Sequence, residues 1–176
     1  MTTSFFTIPG YGNSDKEHWQ TYFEQKLVSC QRIVQDNWTE PVMSDWVQRI
    51  DESVRHAHLS DSIFITHSMG GIALAHWAKQ YNKAIKGAFI VAPPDLENPY
   101  EDLGLKSFTP IPQIQLPFRS ILVASSNDHW IRLERAEYFA NAWGSELVVL
   151  NNAGHINPDA GFKHWDEGLE ILKRLE

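Results

Sequence analysis

Three side chains of this chain are of the types that together perform acyl transfer: Ser68, Asp128 and His155, in that order. A serine hydroxyl alone is a poor nucleophile. It needs a base to take its proton, an acid to orient that base, and fixed donors for the oxyanion that develops. Ser68 lies in Thr66-His67-Ser68-Met69-Gly70, between the apolar run Ile63-Phe64-Ile65 and the small-residue run Gly71-Ile72-Ala73-Leu74-Ala75. That order predicts a strand, a sharp turn and a helix, with the serine at the apex. The segment matches the G-x-S-x-G nucleophile elbow except at its first glycine, where Thr66 stands. A β-branched residue there is expected to crowd the turn at a cost of about 1–3 kcal/mol. Gly70, where the closer approach falls, is kept.

The partners of the serine stand where an open α/β sheet gathers its chemistry, just past the ends of strand-like runs. Asp128 follows Ile121–Ala124, in Ser125-Ser126-Asn127-Asp128, and His155 follows Leu147–Leu150, in Asn151-Asn152-Ala153-Gly154-His155. The interval between Asp128 and His155 suits one helix and one strand. Asp95, after Ala92-Pro93-Pro94, is a rival acid from the preceding strand. For the oxyanion, the amide of Met69 is the first expected donor, because it follows the nucleophile. The second is expected from the loop Pro9-Gly10-Tyr11-Gly12, with the Tyr11 amide as the choice. Simpler readings exist for each residue: Ser68 as a helix N-cap, Asp128 as a turn residue beside Asn127, His155 as a loop histidine. Their joint order and placement favour the relay.

The other histidines read as structural. His67 flanks the serine, His56 and His58 have His-x-His spacing without a third ligand nearby, and His76, His129 and His164 suit packing or surface positions. Tyr11, Trp38 and Trp130 sit near strand ends, where they could line an acyl pocket or pack in the core. The Gly10-Tyr11-Gly12 turn lacks the lysine and Ser/Thr of a phosphate-binding loop.

The elements that must position these groups alternate. Ser4–Ile8 reads as a strand stopped by Pro9-Gly10, and Ser14-Asp15-Lys16-Glu17 as a capping box opening a helix with Trp19, Tyr22, Phe23 and Leu27 on one face. Arg32–Val34 is a weak strand, and a second helix starts near Ser44. Ser62–Thr66, Ala88–Val91, Ser120–Ala124 and Glu146–Leu150 are nearly unbroken apolar runs, as strands covered on both faces should be. Helices are expected over Met69–Tyr81, between Leu133 and Trp143 with Gly144 as the stop, and through Phe162, Trp165, Leu169 and Leu172. The fold class is therefore α/β: a three-layer αβα sandwich with a mostly parallel sheet of about six strands, one domain spanning 1–176. Pro93–Pro117 carries six prolines, which predicts an extended loop with a helical turn near Tyr100–Leu105, placed over the pocket.

Composition narrows the partners. The net charge of -7 argues against nucleic acid, whose affinity rests on cationic neutralisation of phosphates. No apolar run is long enough to cross a bilayer. The single cysteine, Cys30, excludes an intramolecular disulfide, and the start Met1–Phe6 lacks a basic leader. A cytoplasmic protein, monomeric or a small homo-oligomer, without metal or cofactor, acting on a small ester-like molecule, is the expectation.

Over essentially its whole length the chain resembles the small α/β-hydrolases that include retinoblastoma-binding protein nine and its bacterial relatives. The resemblance rests on Ile8-Pro9-Gly10-Tyr11-Gly12 with His18-Trp19, on His67-Ser68-Met69-Gly70, and on Ala92-Pro93. It continues in Asn127-Asp128, Ala142-Trp143-Gly144 and Gly154-His155-Ile156-Asn157, with Gly161 and Trp165 behind. It implies a compact hydrolase fold without a large lid domain, serine hydrolase or carboxylesterase activity, and a triad on Ser68, Asp128 and His155. The competing expectation, a degenerate hydrolase fold that only binds protein or ligand, draws on Thr66.

Overall fold

The apolar runs become strands of one sheet in the computed structural model, which describes residues 3–97 and 105–176. Among these residues the strands are β1 (Ser4–Ile8), β2 (Cys30–Arg32), β3 (Ser62–His67), β4 (Gly87–Val91), β5 (Ser120–Ser125) and β6 (Glu146–Leu150). They lie in the order β2-β1-β3-β4-β5-β6, every neighbouring pair parallel. The chain winds outward one way from β1 to β2, then crosses back to continue from β3 to β6. The reversal falls between β1 and β3, and a crevice opens at their carboxyl ends, where sheets of this kind bind ligands.

Helices cover both faces: α1 (Trp19–Lys26), α2 (Met43–Ser53), α3 (Met69–Tyr81), α4 (Leu133–Trp143) and α5 (Asp166–Leu172). Successive side chains along a strand point to opposite faces, so each strand feeds two cores. Phe6, Ile8, Phe64, Ile90, Leu122 and Ala124 join Trp46, Ile72, Trp77, Phe139 and Trp143 under α2, α3 and α4. Phe5, Ile63, Ile65, Phe89, Val91, Ile121 and Val123 join Trp19, Phe23, Trp165 and Leu172 under α1 and α5. Trp19, Trp46, Trp77 and Trp143 are fully buried, the fillers of these two cores. The outcome is the expected three-layer sandwich.

Local differences have local causes. The capping box does not open α1: Ser14 Oγ donates to Gln20 Oε1, the Glu17 amide donates to Asp15, and the helix starts five residues after Ser14, at Trp19. Its N-cap is His18, whose Nδ1 accepts from the Gln20 amide at 3.1 Å. A buried imidazole thus does the work expected of a serine hydroxyl. β2 covers Cys30–Arg32 rather than Arg32–Val34, in register with Phe5–Thr7. Phe162 and Trp165 precede α5 rather than lie on it, although Trp165 still packs into the core. Between Pro93 and Pro117, a single 3-10 turn (Lys106–Phe108) is described, while the turn expected near Tyr100–Leu105 lies largely outside the described residues. The segment is tied down by buried Phe108, Ile111 and Leu116, and by Trp143 Nε1 donating to the Pro112 carbonyl at 2.7 Å.

Candidate active site

Ser68 sits between β3 and α3 with φ 52° and ψ −126°, a left-handed backbone that few side chains adopt. Its hydroxyl caps nothing in α3, which removes the N-cap reading. Main-chain bonds fix the turn: the Ser68 amide donates to the Val91 carbonyl at 2.9 Å, and the Gly71 amide donates to the Ser68 carbonyl at 2.9 Å. Glycine is required close by. A Cβ on Gly70 would sit 2.0 Å from the Ile8 carbonyl oxygen, and one on Gly10 would sit 2.8 Å from Ser68 Cβ. The ends of β1 and β3 therefore touch at the serine, and only residues without side chains permit it.

Thr66 fits into this turn. It is fully buried and paired in register with Ile8 and Ile90. Its Oγ1 faces Gly71, where a Cβ would lie only 3.3 Å away, so the missing side chain at 71 gives the threonine its room. The crowding expected from the sequence is relieved by that second glycine. What remains is a hydroxyl buried without a hydrogen-bond partner among the described residues.

The three relay candidates meet. His155 Nδ1 donates to Asp128 Oδ2 at 2.8 Å, and His155 Nε2 lies 3.0 Å from Ser68 Oγ. A carboxylate accepts only, so Nδ1 carries the proton in the neutral ring. Nε2 is then bare and accepts from the serine hydroxyl. Both partners are enclosed, with the Asp128 side chain at 0% and that of His155 at 7% exposure. The second Asp128 oxygen accepts from the Trp130 amide at 2.9 Å. Asp95, the rival acid, faces Arg135 at 3.3 Å instead.

The loop carrying His155 is held by the loop carrying Asp128, a set of contacts that sequence reasoning missed. Amides 152, 153 and 154 donate in turn to Ser126 Oγ, Ser125 Oγ and Asn127 Oδ1, at 2.9, 2.9 and 2.8 Å. The only signal for it was the polar tripeptide before Asp128.

A cavity of about 480 Å³ opens over Ser68, within the range of small-molecule pockets. One wall is apolar (Met69, Pro94, Leu96, Leu105, Trp130) and the other polar (Asn13, Asp15, His18, Asn157, Asp159), with Tyr11 at the lip, 53% exposed. Trp38 packs on Trp46 at 5.6 Å and is not part of the lining. Met69 is the first residue of α3, so its amide has no acceptor within the helix. A Cβ on Gly10 would lie 3.2 Å from that amide nitrogen, which places the Gly10-Tyr11 peptide next to it.

Two buried imidazoles lie behind His155, His67 at 4.9 Å from it and His18 at 4.7 Å from His67. Burial pushes His18 from 6.5 down to about 4 and His67 well below its ordinary value. His18 accepts through Nδ1, so its proton is on Nε2, which is buried and has no partner among the described residues. His76 donates to the Phe108 carbonyl, and His164 stacks on Tyr22. Among the described residues no three His, Cys, Asp or Glu side chains gather as a metal-binding set, and no helix is long and apolar enough to cross a membrane.

A parallel αβα sandwich with a serine on a strained strand–helix turn, at the sheet's reversal point, defines the α/β-hydrolase fold. The chain belongs to the serine hydrolase family, whose model matches residues 5–174, and it is a hydrolase. It is 33% identical to a YdeN-like hydrolase of Pectobacterium atrosepticum, with a TM-score of 0.86 over 99% of this chain and 90% of that one. The ydeN product of Bacillus subtilis superposes at a TM-score of 0.85, with 19% identity over 99% and 98% of the two chains. Est1E of Butyrivibrio proteoclasticus, solved with ferulic acid, shares the fold at a TM-score of 0.74 with 13% identity, over 98% and 89%. No curated protein matches the chain.

Proposed function

We propose that this hydrolase cleaves a small ester, thioester or amide through an acyl-serine intermediate. The observation that carries the reading is one imidazole bonded on both sides, to Asp128 at 2.8 Å and to Ser68 at 3.0 Å. Ser68 Oγ attacks the carbonyl carbon while its proton passes to His155 Nε2. The oxyanion takes the Met69 and Tyr11 amides, and Asp128 stabilises the imidazolium. His155 returns the proton to the departing oxygen, sulfur or nitrogen, leaving the acyl group on Ser68. Water then loses a proton to His155 as it attacks the acyl carbon, the carboxylic acid departs, and Ser68 recovers its proton. The scheme uses no metal or cofactor. The wall of Pro94, Leu96, Leu105 and Trp130 takes the apolar part of the substrate.

A fluorophosphonate probe tests the reading. It labels the wild-type chain once and leaves Ser68→Ala unlabelled; folded wild-type protein that takes no label is instead a binding module. Hydrolysis of p-nitrophenyl esters graded from acetyl to cinnamoyl then sizes the pocket. In Asp128→Asn, kcat falls about 10⁴-fold because the wrong tautomer is held, whereas Asp95→Asn stays near wild type.

A further inference from the structure

The backbone at the base is bent in a way its sequence resists. Of residues 152 to 156, Asn152, Gly154 and Ile156 have positive φ, at 51°, 55° and 50°. Glycine takes this freely and asparagine tolerates it, but a β-branched residue in the left-handed region is an outlier that surrounding structure must hold. The polar tripeptide before Asp128 fixes the amides of the first three residues, and none of those bonds reaches the other end of the loop. There, two ring donors act. His67 Nε2 lies 2.9 Å from the His155 carbonyl oxygen, and Trp19 Nε1 donates to the Ile156 carbonyl at 2.8 Å. A carbonyl only accepts, so His67 is the donor and carries its proton on Nε2.

We propose that His67 and Trp19 are positioning residues that clamp the His155–Ile156 bend and so set the imidazole at bonding distance from Ser68. The proposal rests on the serine hydrolase reading above. Both donors are anchored in the core. His67 is the last residue of β3 and immediately precedes the nucleophile. Trp19 is fully buried at the start of α1, packed edge-on against Phe23, Trp165 and His67, at 4.9, 5.3 and 5.9 Å. The nucleophile strand thus grips the main chain of its own base, which ties the Ser68–His155 distance to β3. The buried site keeps His67 neutral, so the ring bonds the loop without placing a second cation beside the imidazolium formed in the reaction.

The test compares variants that keep or lose the donor. In His67→Phe and in Trp19→Phe, kcat for a p-nitrophenyl ester and the rate of fluorophosphonate labelling fall together, about 10- to 100-fold, as misplacement of a base by a fraction of an ångström to 1 Å does. In Trp19→Phe, KM moves less than twofold, because Trp19 is not part of the cavity lining. His67→Gln, whose side-chain amide reaches to a similar distance with an N–H, recovers at least a third of the wild-type kcat. Replacing Trp19 with β-(3-benzothienyl)alanine, which exchanges the N–H for sulfur in a ring of the same shape, repeats the kcat loss even if Trp19→Phe does not fold. The clamp is overturned if folded donor-less variants turn over within twofold of wild type, or if His67→Gln is as slow as His67→Phe. Wild-type protein that takes no label defeats the hydrolase reading itself. Labelled wild type with equally fast variants defeats only the clamp.

Discussion

The turn at Ser68 and the loop at His155 are both strained, yet they are held by opposite means. At residues 66–71 the strain sits on Ser68, and main chain and missing side chains contain it: strand register, two short amide–carbonyl bonds, and glycines at 10, 70 and 71. At residues 152–156, side chains contain it, drawn from Trp19, His67, Ser125, Ser126 and Asn127. The first solution is steric and main-chain, and it leaves no freedom. The second is distant and polar, so it can be loosened one bond at a time. An elbow built that way fixes the serine through main chain, while His155 is seated by side-chain bonds.

This contrast predicts a graded set of failures. Gly70→Ala strikes the steric solution, because its methyl would collide with the Ile8 carbonyl rather than with a movable side chain. It is expected to destabilise the chain by about 3 kcal/mol or more, read from urea unfolding. A variant as stable as wild type would show that β1 can retreat from the elbow. Acid strikes the cap of α1, the helix that carries Trp19, next. His18 falls to about 4 when folded, against 6.5 unfolded, mainly through burial. The unfolded chain therefore binds more protons between those values, and stability falls as pH drops from 6.5 to 4, by about 3 kcal/mol from this group. In His18→Asn, which keeps a capping oxygen, the slope of stability against pH over this interval should flatten by up to one proton. An unchanged slope would assign the titration elsewhere.

Ser125→Ala is a smaller insult. It leaves the buried Ala153 amide without its acceptor, and the expected loss is about 1–3 kcal/mol, with kcat falling while KM holds. An effect on stability alone would mean that the amide side of the loop does not steer His155. Thr66→Val is the gentlest and has the opposite sign. It exchanges a buried hydroxyl, without a partner among the described residues, for a methyl of the same shape. Stability should rise by about 1 kcal/mol with activity unchanged. A loss of activity instead would show that the hydroxyl has work to do when substrate is bound.

The two regions also differed in how readable they were. The elbow could be read from five adjacent letters because its physics is local: apolar strand, serine, glycine, small-residue helix. The strands of the two cores were equally plain, since burial on both faces leaves unbroken apolar runs. β2 was harder. It is a three-residue edge strand, half-exposed, with too few letters to carry a pattern. The start of α1 misled because a capping box is a statement about four residues, and here Ser14 bonds to Gln20 instead while His18 takes the cap. His67 and Trp19 gave no sign of their bonds to the base loop, since each partner is remote in the chain.

The sequence by itself determined the layer order and the parallel sheet, and it set Ser68, Asp128 and His155 in chain order past the ends of three strands, with Asp95 left as a rival acid. Those follow from periodicity and from turn chemistry, which act over a few residues. Only the tertiary structure decided that Asp128 rather than Asp95 bonds His155, because Arg135 occupies Asp95. It alone decided that Thr66 fits and that ring N–H groups grip the base loop. These outcomes depend on distances between segments far apart in the chain, and such distances exist only once the sheet has closed them.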